Sequence, residues 1–321
     1  MKYLIQKSEY PILIAGGDGF IGKNLTKKLE SLGIPILIID NHVTSFPHEF
    51  SNRKSRRIIA DIAQIDVNSI PTVSGIIHLA SVAAPQIYTK DPILVLNPNT
   101  IGTSKLIEIA KRDNVRILFA STSEVYGNVN NNLLDGRGIK EEDIALVKLL
   151  SERSCYSAAK RFGEELILNY RKHGGDAASF RLFNVYGKDM DTKYVGYGRV
   201  IPNFFHQMTC GNPIEIFGDG KQVRSFLWID DAIEAIVSLF FCEGSLPCAV
   251  NIGKDEPVTI NELADSIAKI LNVEYQVTFS IKQEDDPLWR RPCIEKMKLL
   301  TGWEPKISLC EGLRIIADSH P

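Results

Sequence analysis

The stretch GGDGFIG, residues 16–22, lies between an apolar run, PILIA, and an amphipathic segment in which Ile21, Leu25, Leu29 and Leu32 recur at helical spacing. Gly16, Gly19 and Gly22 stand at a GxxGxxG spacing, and the strand-turn-helix setting is the one a dinucleotide loop requires. Glycine keeps the turn tight and lets the backbone approach a pyrophosphate, whose charge then rests on the helix N-terminus. Gly33 and Pro35 stop that helix. Asp40 closes the next apolar run, IPILIID, 18 positions (40 minus 22) past Gly22. That is near the ~20 expected of an acid holding both ribose hydroxyls. No arginine is adjacent to Asp40 in the sequence, so NAD is expected in preference to NADP.

The same alternation continues outward. RRIIAD, GIIHLAS, VRILFAS and AASFRLF read as strands, and residues 99–113 and 155–172 as helices between them. Successive βαβ units predict an α/β, Rossmann-type doubly wound parallel sheet. Asp61 and the HLAS segment (His78 to Ser81) fall at strand carboxyl ends, where such sheets bind ligands. His78 on its own reads as a satisfied core histidine. Beyond Asn184 the rhythm changes to aromatic, glycine-rich and basic loops between short helices, which predicts a smaller α/β substrate-binding lobe. The expected division is a cofactor domain over 1–183, rejoined by 226–252, and a second lobe over 184–225 and 253–321.

Bulk properties narrow the partners. A chain of 321 residues with 44% hydrophobic and 24% charged residues is ordinary for a globular protein. Its net charge of -2 offers no basic footprint for nucleic acid, and a small ligand is expected instead. Charges interrupt MKYLIQKSEY at the start, and no apolar run approaches the ~18 residues that span a bilayer. A cytoplasmic location is therefore expected. The six cysteines show no CxxC pair and no metal-ligand spacing, so no metal is expected.

Two further motifs carry chemistry. ASTSEVYG, residues 120–127, places Thr122, Ser123 and Glu124 where a buried strand ends. A capped turn accounts for such a cluster when it stands alone. YSAAK puts Tyr156 and Lys160 four apart on one helix face. With the lysine ammonium and a positive nicotinamide ring nearby, the Tyr156 phenol pKa is expected to fall, making it a base. Thr122 is its expected hydrogen-bond partner.

Together, GGDGFIG, Asp40, HLAS, ASTSEVYG, YSAAK and RLFNVYG resemble the extended short-chain dehydrogenase/reductase superfamily over nearly the whole chain. Within it, NTIGT, STSEVYG, RSCYSAAK, GRVIPNF, GDGKQVRSF and RRPCIEKMKLLTGWEP look most like the UDP-glucuronate decarboxylase group. The resemblance implies oxidation of a nucleotide sugar at C4 by bound NAD, loss of carbon dioxide and return of the hydride. It implies catalytic roles for Thr122, Ser123, Glu124, Tyr156, Lys160 and Arg290. It places the cofactor against Gly16, Gly19, Phe20, Ile21, Gly22, Asp40, Asn41, Asp61, Ile62, Leu79, Ala80, Ser81, Asn99, Tyr156 and Lys160. It places the nucleotide sugar against Tyr88, Glu124, Arg153, Asn184, Arg199, Val200, Lys221, Arg224 and Arg290, and it implies a homodimer through residues 99–113 and 155–172. Three departures stand out: Val82 occupies a usual proline position, Trp228 a usual tyrosine position, and residues 128–152 lack the group's proline and tryptophan pattern.

Three other functions share this framework. A nucleotide-sugar 4,6-dehydratase keeps the glutamate but carries an acid before it, and Ser123 is a poor acid. A 4-epimerase leaves Glu124 unexplained. A non-catalytic NAD-binding regulator has no need of Thr122, Tyr156 and Lys160 together.

Overall fold

The computed structural model describes residues 9–84, 87, 90–129, 136–143, 154–188, 190, 199–281 and 286–319. Strand β1 (Ile12–Ala15) and β2 (Ile36–Asp40) are buried along their length, as β-branched runs covered on both faces must be. Between them runs helix α1 (Phe20–Ser31). There follow β3 (Arg56–Ile59), β4 (Gly75–His78), β5 (Ile117–Thr122) and β6 (Ala177–Leu182). Shorter strands come next: β7 (Val185–Tyr186), β8 (Ile214–Phe217), β9 (Val223–Ser225) and β10 (Leu227–Trp228). The last are β11 (Ala249–Ile252), β12 (Pro257–Thr259), β13 (Val277–Ser280) and β14 (Trp289–Arg290).

Seven strands form one parallel sheet in the order β3-β2-β1-β4-β5-β6-β11, the expected doubly wound arrangement. The order reverses between β1 and β4, which opens a crevice at their carboxyl ends. Apolar side chains pack on both faces. Leu25 and Leu29 of α1 join Ile236 of the helix Ile229–Phe240 on one side, and Leu106 and Ile109 of Thr103–Asp113 cover the other. Strand β11 extends the sheet from late in the chain by pairing in parallel with β6. The remaining strands make small sheets, among them β12-β9-β14 and β13-β8, around the helix Val200–Thr209. No helix among the described residues is long and apolar enough to cross a membrane.

One helix departs from the expected form. In place of a single α-helix over 99–113, the chain runs Ile93–Asn97 as α-helix, Pro98–Gly102 as a π-helical turn and Thr103–Asp113 as α-helix. Pro98 lacks an N–H, and its carbonyl accepts from Nε2 of the buried His78 at 3.0 Å, so the ladder widens there. Burial, reinforced by the charge of Lys160, pushes the His78 pKa down to about 3. His78 is thus a neutral core histidine that pins this turn.

Candidate active site

Two adjoining cavities occupy the crevice. The first, of about 240 Å³, is walled by Gly16, Gly19, Asp40, Asn41, Asp61, Ile62, Leu79, Ala80 and Ser81. Gly16 takes φ +79, and a Cβ there would come 2.6 Å from the Ala80 nitrogen, so only glycine closes this turn against the end of β4. A Cβ on Gly19 would meet nothing nearer than the Gly16 carbonyl oxygen at 3.5 Å, which leaves room before the helix. Among the described residues no side chain caps α1, and its first turn holds no acid. An uncapped helix N-terminus behind open space, with a carboxylate at the far wall, fits a dinucleotide.

The other expected cofactor residues stand behind this wall. Phe20, Ile21 and Gly22 supply the first turn of α1. Asn99 is fully buried; its Nδ2 donates to Ser81 Oγ at 2.9 Å and to the Val95 carbonyl at 2.7 Å. It therefore positions Ser81, while its buried Oδ1 has no hydrogen-bond partner among the described residues. Lys160 is likewise buried, its ammonium donating to the Ala120 carbonyl at 2.6 Å.

Asp40 is more heavily engaged than its spacing suggests. Oδ1 accepts from His42 N at 2.9 Å and Ser45 Oγ at 2.8 Å, and Oδ2 accepts from Asp18 N at 3.0 Å. Of the roughly four acceptor positions of a carboxylate, about one stays open for a ribose hydroxyl. The absence of a neighbouring arginine also needs correction. Strand pairing sets Arg57 opposite Ile38, and its guanidinium grips Asp18 with Nε and Nη2, both at 2.7 Å. His42 Nε2 and His48 Nδ1 each reach Asp18 at 2.8 Å. Burial raises the Asp18 pKa, but hydrogen bonds from His48, Arg57 and His42 outweigh it and hold the carboxyl well below the usual carboxylate range.

The second cavity, of about 260 Å³, is lined by Thr122, Glu124 and Tyr156 on the sheet side. Asn184, Arg199, Val200 and Arg224 line it from the smaller lobe. Glu124 Oε1 lies 3.0 Å from Arg290 Nη1, and the same nitrogen is 3.5 Å from Ser123 Oγ. Arg290 is buried and also donates from Nη2 to the Gly127 carbonyl at 3.1 Å. The pairing of β14 with β9 puts Arg290 opposite Arg224, whose Nη2 donates to Asp286 Oδ1 at 2.7 Å. Lys221 does not join this cavity: it sits 80% exposed on the outer side of a turn, near Asp219. Tyr88 and Arg153 lie outside the described residues, as does much of the 128–152 segment.

The electrostatics depart from expectation at Tyr156. Burial pushes its phenol pKa up, the Glu124 carboxylate adds to the rise, and a hydrogen bond with Thr122 offsets part of it. Thr122 Oγ1 already accepts from Glu124 N at 3.2 Å, which frees its own O–H to donate to the phenol oxygen. Lys160 exerts less pull than expected because burial lowers its own pKa to about 7, Glu164 countering in part. The sequence reading overlooked Asp286, Gln222 and Glu215 in the sugar cavity and Thr44 and Ser45 in the cofactor cavity. Gln222 stands within the quoted GDGKQVRSF segment, beside the Lys221 that was expected, whereas the others stand in no quoted motif and are brought in by strand pairing and loop closure.

Residues 12–253 match the family described as NAD dependent epimerase/dehydratase. The chain is 36% identical over 321 residues to UDP-glucuronic acid decarboxylase 1 of Danio rerio, covering 98% of this chain and 73% of that protein. UDP-glucose 4-epimerase of Thermotoga maritima, solved with UDP-glucose, superposes with TM-score 0.83 at 28% identity, over 96% of this chain and 97% of that one. A mutant UDP-glucuronic acid 4-epimerase of Bacillus cereus, in complex with UDP-4-deoxy-4-fluoro-glucuronic acid and NAD, superposes with TM-score 0.83 at 25% identity, over 96% and 98%.

Proposed function

The chain belongs to the NAD dependent epimerase/dehydratase family, and from that premise we propose that it uses NAD to decarboxylate UDP-glucuronate, leaving UDP-xylose. The observation that carries this choice within the family is Arg290, a buried guanidinium 3.0 Å from Glu124 and 3.5 Å from Ser123. A dehydratase needs a proton donor for a departing 6-hydroxyl, and Ser123 beside a permanent cation is not one. An epimerase that only oxidises and re-reduces C4 develops no enolate for this arginine to neutralise. Similarity to the Danio rerio decarboxylase supports the same choice.

The residues divide the work as follows. The Gly16–Gly19 turn, Asp40, Asp61 and Ser81 would hold NAD, and the bound nicotinamide would supply reversible hydride exchange at C4 of the sugar. Tyr156 accepts the proton of the 4-hydroxyl, with Thr122 hydrogen-bonded to its oxygen and Lys160 beneath it. The 4-keto uronate is a β-keto acid, so the carboxylate leaves without a strong base. Arg290 neutralises the enolate charge that develops, and Glu124 with Ser123 orients the pyranose and organises delivery of a solvent proton to C5. Asn184, Arg199, Val200 and Arg224 hold the nucleotide diphosphate. Arg224 is paired with Asp286 at 2.7 Å, so a phosphate oxygen binds there by exchanging for the Asp286 carboxylate.

Incubation with UDP-glucuronate, UDP-glucose and dTDP-glucose, followed by product masses, tests the reaction. Loss of carbon dioxide from the uronate alone is the expected result. Loss of water from either hexose points to a dehydratase, and a product of unchanged mass to an epimerase; either one refutes the decarboxylase reading.

In the same reading, residues 1–183 with 226–252 bind the cofactor and 184–225 with 253–321 bind the sugar nucleotide. The chain works in the cytoplasm as a homodimer joined through residues 99–113 and 155–172. Ile101 and Phe162, large apolar side chains left 48% and 54% exposed on those segments, support the pairing. Sedimentation of the purified protein is expected to return twice the chain mass, and a monomer would refute it.

A further inference from the structure

We propose that Asp18, inside the glycine-rich turn, is a second selector of NAD over NADP: it keeps Arg57, His42 and His48 turned away from the adenosine ribose. The proposal rests on the NAD reading above and concerns how the preference is enforced. Asp40 alone gives an incomplete account, because the groups that would welcome a 2′-phosphate are close by. Arg57 stands opposite Ile38 of the strand that ends at Asp40, and two histidines lie in the loop that follows.

All three are committed to one carboxylate. Asp18 is 3% exposed, and both of its oxygens are engaged by the Arg57 fork, which also donates to the His48 carbonyl at 2.6 Å and lies 4.6 Å over the Phe50 ring. His42 is held in the left-handed region at φ +56, its backbone N–H on Asp40 and its ring on Asp18. Asp18 in turn donates its backbone N–H to Asp40 Oδ2. The two acids therefore form one unit at the ribose end of the cavity. The Asp40 charge opposes a 2′-phosphate, and the nearby Arg57 guanidinium is spent on the hidden Asp18. Asp18 is a positioning residue in this scheme.

Removing its charge releases Arg57. In Asp18→Asn, the Arg57 fork loses a bidentate partner, and the 2′-phosphate becomes the strongest acceptor available to it. NAD and NADP are titrated separately into the purified protein by calorimetry, giving a ratio of dissociation constants that general damage to the pocket leaves unchanged. The wild type is expected to favour NAD strongly. In Asp18→Asn the preference is expected to shrink at least about tenfold, the size of one charge-assisted hydrogen bond, and Asp18→Asn/Arg57→Met is expected to restore it. Asp18→Ser gives the same reading should the asparagine variant fail to fold. An unchanged ratio in the single variants overturns the proposal, as does a shrunken preference that survives removal of Arg57. A wild type that binds both nucleotides equally overturns the NAD reading itself and the proposal with it.

Discussion

Tyr156→Phe is expected to lower kcat on UDP-glucuronate by about a thousandfold, within the range for loss of a positioned general base. Binding of the sugar nucleotide is expected to stay within about threefold, because the ring still packs against Val82, Ala84 and Val95 and only the phenol oxygen is lost. The effect falls before decarboxylation, on removal of the 4-hydroxyl proton, so no 4-keto sugar forms. A borodeuteride quench of the reaction should then leave C4 unlabelled. The geometry argues for so large an effect because the buried side of the cavity offers no ready substitute. Thr122 has its oxygen committed to the Glu124 amide, and the Lys160 ammonium is directed at the Ala120 carbonyl. Wild-type turnover in the phenylalanine variant would remove Tyr156 from the mechanism.

Arg290→Gln is expected to cost about 100- to 1000-fold in carbon dioxide release, the range for removing one preorganised donor from a developing oxyanion. The block falls later than in the tyrosine variant. The 4-hydroxyl proton is still removed, the 4-keto uronate accumulates, and borodeuteride labels C4. Arg290→Lys keeps the charge but loses the fork that reaches both Glu124 and the Gly127 carbonyl, so an intermediate loss is expected. Because the arginine is buried, a thermal melt accompanies both variants to separate unfolding from lost chemistry. Equal carbon dioxide release by folded Arg290→Gln and wild type would reassign stabilisation of the enolate to another group.

The difference between what the sequence disclosed and what it hid follows from how each feature is made. Gly16, Gly19 and Gly22 sit within one turn beside an apolar run, and Tyr156 and Lys160 share one helix face, so residue spacing alone carries their meaning. The Arg224–Asp286 pair and the Asp18–Arg57 grip come from strands meeting, β14 on β9 and β3 on β2. Nothing within either segment announces its partner. Lys221 failed for a related reason. Its loop does reach the cavity, but Gln222 is the residue that faces it while Lys221 points outward, and telling two adjacent side chains apart requires knowing which side of a turn is covered. The π-helical turn at Pro98–Gly102 escaped because it depends on a hydrogen bond from His78, on a different element.

Arg290 and Ser123 are 167 positions apart along the chain. The segment that carries Arg290 is clamped to the cofactor half by paired backbone bonds, Ile139 N to the Arg291 carbonyl at 2.7 Å and Cys293 N to the Ile139 carbonyl at 2.9 Å. On the ribosome, the parallel sheet has all its strands once Ile252 has emerged, 38 residues (290 minus 252) before Arg290 appears. At about 5–20 residues per second, that interval lasts roughly two to eight seconds. During it the nascent chain holds every residue that lines the first cavity but lacks the guanidinium that pairs with Glu124. Every strand of the sheet is thus synthesised before Arg290, so the residues of the two cavities become available one after the other.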